Sequence, residues 1–150
     1  MKLSTKGRYG LRALIDLAVH EDDAVSIQSI AERQGISDSY LEQLVRLLKK
    51  AGLVKSIRGA GGGYRLAKPA SEISVGDILR ALEGNIDAVN CTAFQEETGC
   101  QGSDFCVTKS VWKRVNDAIS QTVDGIFLEE LVQDSKAVLK KTEVKGTDLC

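Results

Sequence analysis

Apolar residues recur every three to four positions along the first fifty residues, and this period predicts three helices. The helices are expected at about residues 4–20, 26–35 and 37–52. Small polar residues and glycines at their boundaries are typical helix caps, namely Ser26, Ser37, Asp38, Gly35 and Gly52. The N-terminal part of the chain is therefore expected to be helical.

The third predicted helix is two-sided. Its apolar face holds Leu41, Leu44, Val45 and Leu48, and its opposite face is polar, with Ser39, Glu42, Gln43, Arg46 and Lys50. A short turn containing Gly35 joins it to the second helix, which is typical of a helix-turn-helix. In that motif the second helix enters the major groove of DNA, so the polar face is the expected DNA-reading surface.

Two short alternating segments, residues 53–57 and 64–66, flank the glycine-rich stretch 58–63 and predict a β-hairpin. A hairpin directly after a recognition helix is a wing. Ser74 then caps a further helix that Gly84 ends. The expected fold class is mainly α with a small β wing, and residues 1–84 are the expected winged helix-turn-helix domain.

The second half of the chain has a different pattern. Residues 85–106 show no sustained periodicity and predict a loop, and from Val107 apolar residues recur over a helix of about 18 residues. So long a stripe on so small a protein favours a dimerisation helix that pairs with a second copy. A last short helix is expected around Leu128 to pack back within residues 107–140, and residues 141–150 are expected to form a flexible tail.

Charge separates the two halves. Residues 1–68 contain 12 Lys and Arg against 7 Asp and Glu, a net +5, whereas the remainder contains 8 against 14, a net −6. Only the first half suits a polyanion. No apolar run reaches the roughly 18 residues of a membrane span, and the chain starts without a secretion segment, so a cytoplasmic protein is expected.

Four cysteines, Cys91, Cys100, Cys106 and Cys150, all lie in the acidic half. In a cytoplasmic chain they favour metal binding or redox chemistry over disulfides. The spacing of the first three lacks a C-x2-C pair and does not suit a structural zinc site. An iron-sulfur cluster, reactive thiols and inert cysteines all stay open at this point, and Cys150 is left out because it is the terminal residue. His20 is interpreted as structural.

The candidate DNA contacts divide by chemistry. Arg46, Lys49 and Lys50 can neutralise phosphates, and Gln43 and Ser39 can reach base edges. Glu42 either selects sequence by accepting a hydrogen bond from cytosine or only supports Arg46 one turn away, and both readings stay open. The complete candidate set is Ser4, Lys6, Arg8, Gln28, Ser37, Ser39, Tyr40, Glu42, Gln43, Arg46, Arg58, Gly59 and Gly61.

Four stretches resemble the Rrf-type winged-helix regulators: residues 1–10, 32–37, 39–44 and 54–64. Residues 86–88, the block 99–106 and Trp112 are similar to the branch of that family that regulates iron-sulfur cluster supply. The resemblance covers about residues 1–135. It implies a homodimer on a palindromic double-stranded DNA operator, with a 2Fe-2S cluster on Cys91, Cys100 and Cys106 and with cluster-donor proteins as further partners.

The same resemblance assigns roles to two DNA-facing residues and leaves one gap. It implies that repulsion by Glu42 restricts the cluster-free protein to one class of operator, and that Arg58 is the arginine of the wing. The family pattern has a histidine where this chain has Lys109, and a nitric-oxide-sensing branch has an aspartate where this chain has Arg8. Candidates for the fourth ligand are Asp104, Glu96, Glu97, Lys109, an external thiol and water.

The prediction from the sequence is a regulator, mainly a repressor, that senses cluster status and controls cluster-assembly genes. The alternatives are a regulator of the same fold that senses thiol oxidation, nitric oxide or cysteine status, and a small iron-sulfur electron carrier. Neither a catalytic triad nor a nucleotide-binding fingerprint is present in the sequence, so we do not expect an enzyme.

Overall fold

The computed structural model describes residues 3–89 and 106–145. Within them lie α1 (Thr5–Val19), α2 (Ile27–Gln34), α3 (Asp38–Lys50), β1 (Val54–Ile57), β2 (Gly63–Leu66), α4 (Val75–Glu83), α5 (Lys109–Asp124) and α6 (Leu128–Lys145). A single 3-10 turn, Ala70–Glu72, precedes α4. The predicted fold class, mainly α with a small β wing, is confirmed.

Local capping explains why the helices begin and end where they do. The Ser26 hydroxyl accepts from the Ser29 N–H, and Gly35 ends α2 with a left-handed φ of 64°. The Ser37 hydroxyl accepts from the Tyr40 N–H at the start of α3. Each hydroxyl satisfies a backbone donor that the first helical turn leaves unpaired, so the predicted caps at Ser26, Gly35 and Ser37 are confirmed.

One apolar core joins α1 to α4 with the start of α6. Its largest fully buried side chains are Leu14, Ile30, Leu41, Leu44, Leu48, Ile73, Ile78 and Leu128. The Leu128 N–H donates to the Ile73 carbonyl at 2.8 Å, and the Val75 N–H donates to the Ile126 carbonyl at 2.8 Å. The last helix therefore packs back on the N-terminal helices as predicted, and each fully buried leucine or isoleucine contributes roughly 1.5–3 kcal/mol.

The last helix is longer than expected. The sequence predicted a short helix and a flexible tail from residue 141, whereas α6 continues over 18 residues to Lys145. Beyond Val132 the helix has no continuous apolar stripe, but it contains neither glycine nor proline and is rich in strong helix formers such as lysine. The prediction relied on apolar periodicity and therefore missed a segment whose residues have high helix propensity but form no apolar stripe. None of the helices in the described ranges is both long and apolar enough to cross a membrane.

The wing is an antiparallel pair in which Val54 faces Leu66 and Ile57 faces Gly63. Tyr64 also exchanges two backbone hydrogen bonds with Val25, at 2.8 and 2.9 Å, so the hairpin is attached to the segment before α2. A Cβ on Gly63 would lie 2.5 Å from the Val25 carbonyl oxygen, whereas one on Gly61 would meet nothing within 4 Å. Gly63 at the start of β2 is therefore tightly packed against the segment before α2, whereas Gly61 in the turn of the hairpin is open.

Two glycines allow α1 to approach α4 closely. A Cβ on Gly10 would lie 2.3 Å from Leu82, and one on Gly7 would lie 2.7 Å from the Glu83 carboxylate. On the other side of α4, Arg80 donates to both carboxylate oxygens of Asp124, which closes α5. The last turn of α4 thus contacts both α1 and α5.

Candidate nucleic-acid interface and the thiol before α5

The polar side of α3 is exposed as predicted. Five side chains form what we call the reading face: Ser39, Glu42, Gln43, Arg46 and Lys50. The opposite side is held by four buried residues, Leu41, Leu44, Val45 and Leu48. Because the apolar side is fixed in the core, the reading face is presented outward on a rigid helix, which is what readout in a major groove requires.

The wing stands beside the reading face. Lys49 Nζ donates to the Ser56 hydroxyl at 3.1 Å and links the end of α3 to β1. Arg58, Gly59 and Gly61 follow β1 and are exposed at the tip of the hairpin. The structure therefore brings the exposed turn of the wing close to the C-terminal end of α3.

The first helix of the helix-turn-helix is fixed by an ion pair. The side chain of Asp16 is 4% exposed and accepts from Arg33 at 2.6 Å and from Gln34 at 2.9 Å. The hydrogen bond that Arg33 donates to the Asp16 carboxylate raises the pKa of Arg33 above its usual value. His20 Nδ1 lies 2.8 Å from the Asp16 carbonyl oxygen, which agrees with its structural interpretation. Gln28 is exposed on α2.

The N-terminus of α1 lies against the start of α3. The Ser4 hydroxyl caps α1 by accepting from the Lys6 N–H at 3.1 Å, and Lys6 and Arg8 are exposed on the first turns. The Tyr40 hydroxyl lies 3.0 Å from Thr5 Oγ1, and the ring of Tyr40 packs edge-on against the ring of Tyr9. Tyr40 is therefore half-buried and not fully available to a ligand.

Of the predicted cluster ligands, Cys106 is described, and Cys91 and Cys100 lie outside the described residues, as does Cys150. The Cys106 thiol is exposed and lies 3.3 Å from the Thr108 hydroxyl. That hydrogen bond, together with the Lys109 N–H, lowers the pKa of the thiol. Thiolate is the form that binds iron, so the donor chemistry at Cys106 fits a cluster. Lys109, at the family's histidine position, begins α5.

A residue that the sequence analysis missed lies two turns into α5. Asn116 is only 8% exposed, accepts from the Ala88 N–H at 2.9 Å, and donates to the Val89 carbonyl at 3.3 Å. It satisfies both backbone groups where the chain leaves for Cys91. A buried asparagine in an otherwise amphipathic helix was the available signal.

Cys106 is the only cysteine within the described residues. Residues 3–89 and 106–145 contain no group of three or more histidine, cysteine or acidic side chains placed to hold a metal ion. The described residues therefore contribute one thiol to the predicted ligand set, and the other two predicted cysteine ligands lie outside them.

The chain has a recognition helix, α3, held by the core, a wing beside it, and a basic first half. Together these features define a winged helix-turn-helix DNA-binding protein. The Rrf2 family model, described as an iron-dependent transcriptional regulator, matches residues 3–134, and the chain belongs to this family. The predicted resemblance is thereby confirmed. Because the family consists of transcriptional regulators, the expectation that the chain is not an enzyme is also confirmed.

Two curated relatives are named HTH-type transcriptional regulator IscR. The protein of Pectobacterium carotovorum is 45% identical over 150 residues, covering 99% of this chain and 89% of the relative. The protein of Yersinia enterocolitica is 47% identical over 149 residues, covering 99% and 88%. The chain is thus similar to these regulators over nearly its whole length.

Two solved structures are similar as well. T. potens IscR is 48% identical, with a TM-score of 0.72 over 90% of this chain and 88% of that chain. CymR, the global cysteine regulator of B. subtilis, is 43% identical, with a TM-score of 0.73 over 89% and 97%. The fold is therefore shared with a protein named IscR and with one titled a cysteine regulator.

Proposed function

We propose that the protein is a homodimeric transcriptional regulator, mainly a repressor, that binds a palindromic operator and senses a 2Fe-2S cluster held by Cys91, Cys100 and Cys106. Its targets are the genes of iron-sulfur cluster assembly, and its place of action is the cytoplasm. Cluster-donor proteins are its upstream partners. The observation that carries the proposal is a DNA-reading unit and an exposed Cys106 thiol in one chain that is similar to IscR along its length.

The DNA side of the proposal follows from charge and exposure. Arg46 and Lys50 are suited to phosphates, while Ser39 and Gln43 are suited to base edges. Arg58, Gly59 and Gly61 offer a narrow, small-residue tip with one guanidinium, which suits a minor groove. Ser4, Lys6, Arg8, Gln28, Ser37 and Tyr40 complete the proposed contact set around the reading face.

The cluster side rests on the thiols. When bound, the cluster would be a redox-sensitive group whose loss or oxidation reports on supply. Cys106 would hold it at the start of α5, and Asn116 would fix the chain on the way to Cys91. We assign these three cysteine ligands and leave the fourth open among the candidates named above, because Lys109 occupies the family's histidine position and an ammonium group is a poor iron ligand.

The dimer is supported by apolar surface on α5. Val111 is 48% exposed and Trp112 is 37% exposed, and Val107, just before the helix, is 87% exposed. Exposed aliphatic and aromatic residues along one helix are typical of a surface that another subunit covers. Pairing of α5 with its copy about a two-fold axis would match the two-fold symmetry of a palindromic operator.

Anaerobic purification followed by iron and sulfide assays and operator binding tests the proposal. We expect about two irons and two sulfides per chain, absent in Cys106→Ala and retained in Cys150→Ala, and a change of operator affinity when the cluster is removed. A colourless wild-type protein after reconstitution, with operator affinity unchanged by iron and sulfide, would contradict cluster sensing but would leave DNA binding standing.

A second candidate function has its own support. The similarity to CymR and the exposed Cys106 thiol favour a regulator that senses thiol oxidation or cysteine status, or nitric oxide as another thiol- or metal-directed signal. Under that proposal operator affinity would respond to a mild oxidant in iron-free protein, and Cys106→Ser would abolish the response. No such response is expected if the cluster is the signal.

A further inference from the structure

A single carboxylate joins the end of α4 to the start of α1. Glu83 Oε1 accepts from the Ser4 N–H at 3.0 Å, from the Gly7 N–H at 3.0 Å, and from the Ser4 hydroxyl. These residues are 76 and 79 positions apart in sequence. Glu83 is half-buried, and its negative charge faces the positive end of the α1 dipole.

The contact has room because Gly7 carries no side chain. A Cβ there would lie 2.7 Å from Glu83 Oε1 and 3.3 Å from Leu79. The first turn of α1 is thereby held at one position on α4, and the Gly7 N–H, one of the donors that this turn leaves unpaired, is satisfied by a residue outside the helix. Without Glu83, the Gly7 N–H would lose this acceptor.

The start of α1 contacts Glu83 on one side and the first turn of α3, which carries part of the reading face, on the other. Thr5, the first residue of α1, contacts the Tyr40 hydroxyl at 3.0 Å, and Tyr9 packs on the Tyr40 ring with centroids 6.2 Å apart. Tyr40 lies in the first turn of α3, between Ser39 and Glu42. The start of α1 is therefore a spacer between Glu83 and the DNA-facing end of the recognition helix.

We propose that Glu83 is a positioning residue for DNA binding, which fixes the start of α1 and, through Thr5 and Tyr40, the first turn of α3. Its carboxylate does not touch DNA in this role and acts through residues that do. The inference rests on the DNA-binding part of the proposed function and does not depend on the cluster, so it can be tested on iron-free protein.

The loss of a negative charge and the loss of positioning are expected to change operator affinity in opposite directions. Removal of a carboxylate by itself reduces the repulsion between the protein and the phosphates of DNA, and so raises affinity. Glu83→Ala is expected to lower operator affinity about five- to tenfold despite the lost negative charge, as loss of coupling of typical size would do. Glu83→Gln keeps an oxygen acceptor and should restore most of the affinity. Glu72→Ala removes the same charge from an exposed turn and should leave affinity unchanged or slightly higher.

A double-mutant cycle separates positioning from general destabilisation. Thr5→Ala removes the contact to Tyr40, and if both residues act through the start of α1, its effect on affinity should be smaller in Glu83→Ala than in the wild-type protein. Affinities are measured by fluorescence anisotropy with labelled operator, at a temperature where unfolding curves show every variant folded.

Equal affinity of Glu83→Ala and Glu72→Ala, or full additivity with Thr5→Ala, would overturn the positioning role. Failure of the wild-type protein to bind any operator would instead contradict the proposed function itself. The two failures are therefore distinguishable.

Discussion

Glu42 is a carboxylate on a surface that otherwise suits phosphates. It is exposed on the reading face one helical turn before Arg46. If Glu42 only supports Arg46, its removal should weaken binding to every sequence slightly. If it repels phosphates and accepts a hydrogen bond from cytosine, its removal should instead broaden the range of sequences that bind.

We expect the second outcome. Glu42→Ala should raise the affinity of iron-free protein for operators lacking the cytosine by about tenfold and so reduce discrimination, since one base contact contributes roughly 1–3 kcal/mol. Competition between two operator sequences measures the ratio. Glu32→Ala, an exposed carboxylate of α2 with the same charge change, should leave the ratio intact. A parallel drop on both operators would favour the supporting role.

Asn116 is the second residue whose role can be isolated. Asn116→Ala leaves the Ala88 N–H and the Val89 carbonyl without their partner, and we expect a loss of about 1–3 kcal/mol in the free energy of unfolding. Urea denaturation of the iron-free protein measures it. Gln121→Ala, exposed on the same helix, is the control and should change stability by less than about 0.5 kcal/mol. Equal losses would mean that Asn116 anchors nothing.

At the scale of elements, α5 presents the apolar surface that the proposed dimer would cover. Val111→Glu places a charge in its exposed apolar stripe, and we expect the dimer to dissociate at micromolar protein concentration because a buried, unpaired carboxylate is strongly unfavourable at an interface. Sedimentation velocity gives the mass. Gln121→Glu puts the same charge on the same helix outside the stripe and should remain dimeric. A monomeric wild-type protein would contradict the dimer.

The junction between α4 and α5 depends on pH through Asp124. The Arg80 guanidinium lowers the pKa of this carboxyl group, so the charged form is favoured by folding. Its stabilisation is present above the ordinary aspartate pKa and is lost as pH falls through the lowered value. Asp124→Asn should therefore have a lower Tm than wild type at pH 7, and the gap should close below about pH 4.

The Lys113–Asp117 ion pair provides the control for this junction. Both residues lie on α5, four positions apart and well exposed. Asp117→Asn should change Tm less than Asp124→Asn does, because a pair within one helix contributes little and joins no second element. If Asp124→Asn and wild type unfold at the same temperature at pH 7, the junction is not held by this pair.

The elements differ in how well the sequence predicted them. α2 and α3 were placed to within a residue or two, because Ser26, Gly35 and Ser37 act on their own neighbours in the chain. The Glu83 contact to Ser4, the Tyr64 pairing with Val25 and the Asn116 anchor were not predicted. Each joins positions far apart in sequence, and neither periodicity nor capping carries information about such pairs.

For the whole molecule, the separation of charge governs how DNA is approached. The basic first 68 residues, net +5, carry the reading face, and the acidic remainder, net −6, carries α5 and the cysteines. The acidic part should repel DNA and so orient the protein before contact. Binding is then expected to weaken steeply with salt, since each neutralised phosphate releases counterions.

Arg46→Ala tests this ionic component. We expect weaker binding to specific and nonspecific DNA alike, with the slope of log affinity against log salt reduced by about one for each half-site, as for a lost phosphate contact. Titrations at several salt concentrations give the slope. Arg114→Ala removes an equal charge from α5, away from the reading face, and should leave the slope nearly unchanged. An unchanged slope in Arg46→Ala would mean that Arg46 reads a base.

Positions in the wing differ in whether they can accept a larger side chain. Gly63, which follows the turn and pairs with Ile57, lies too close to Val25 to accept a side chain, while in the turn itself Gly61 faces open space and Ala60 is exposed. Substitutions at Ala60 and Gly61 are thus expected to cost little folding stability, yet they fall where the wing would meet a groove. New operator preferences can accordingly accumulate there one residue at a time, so duplicated copies of such a regulator could diverge in target without losing their fold.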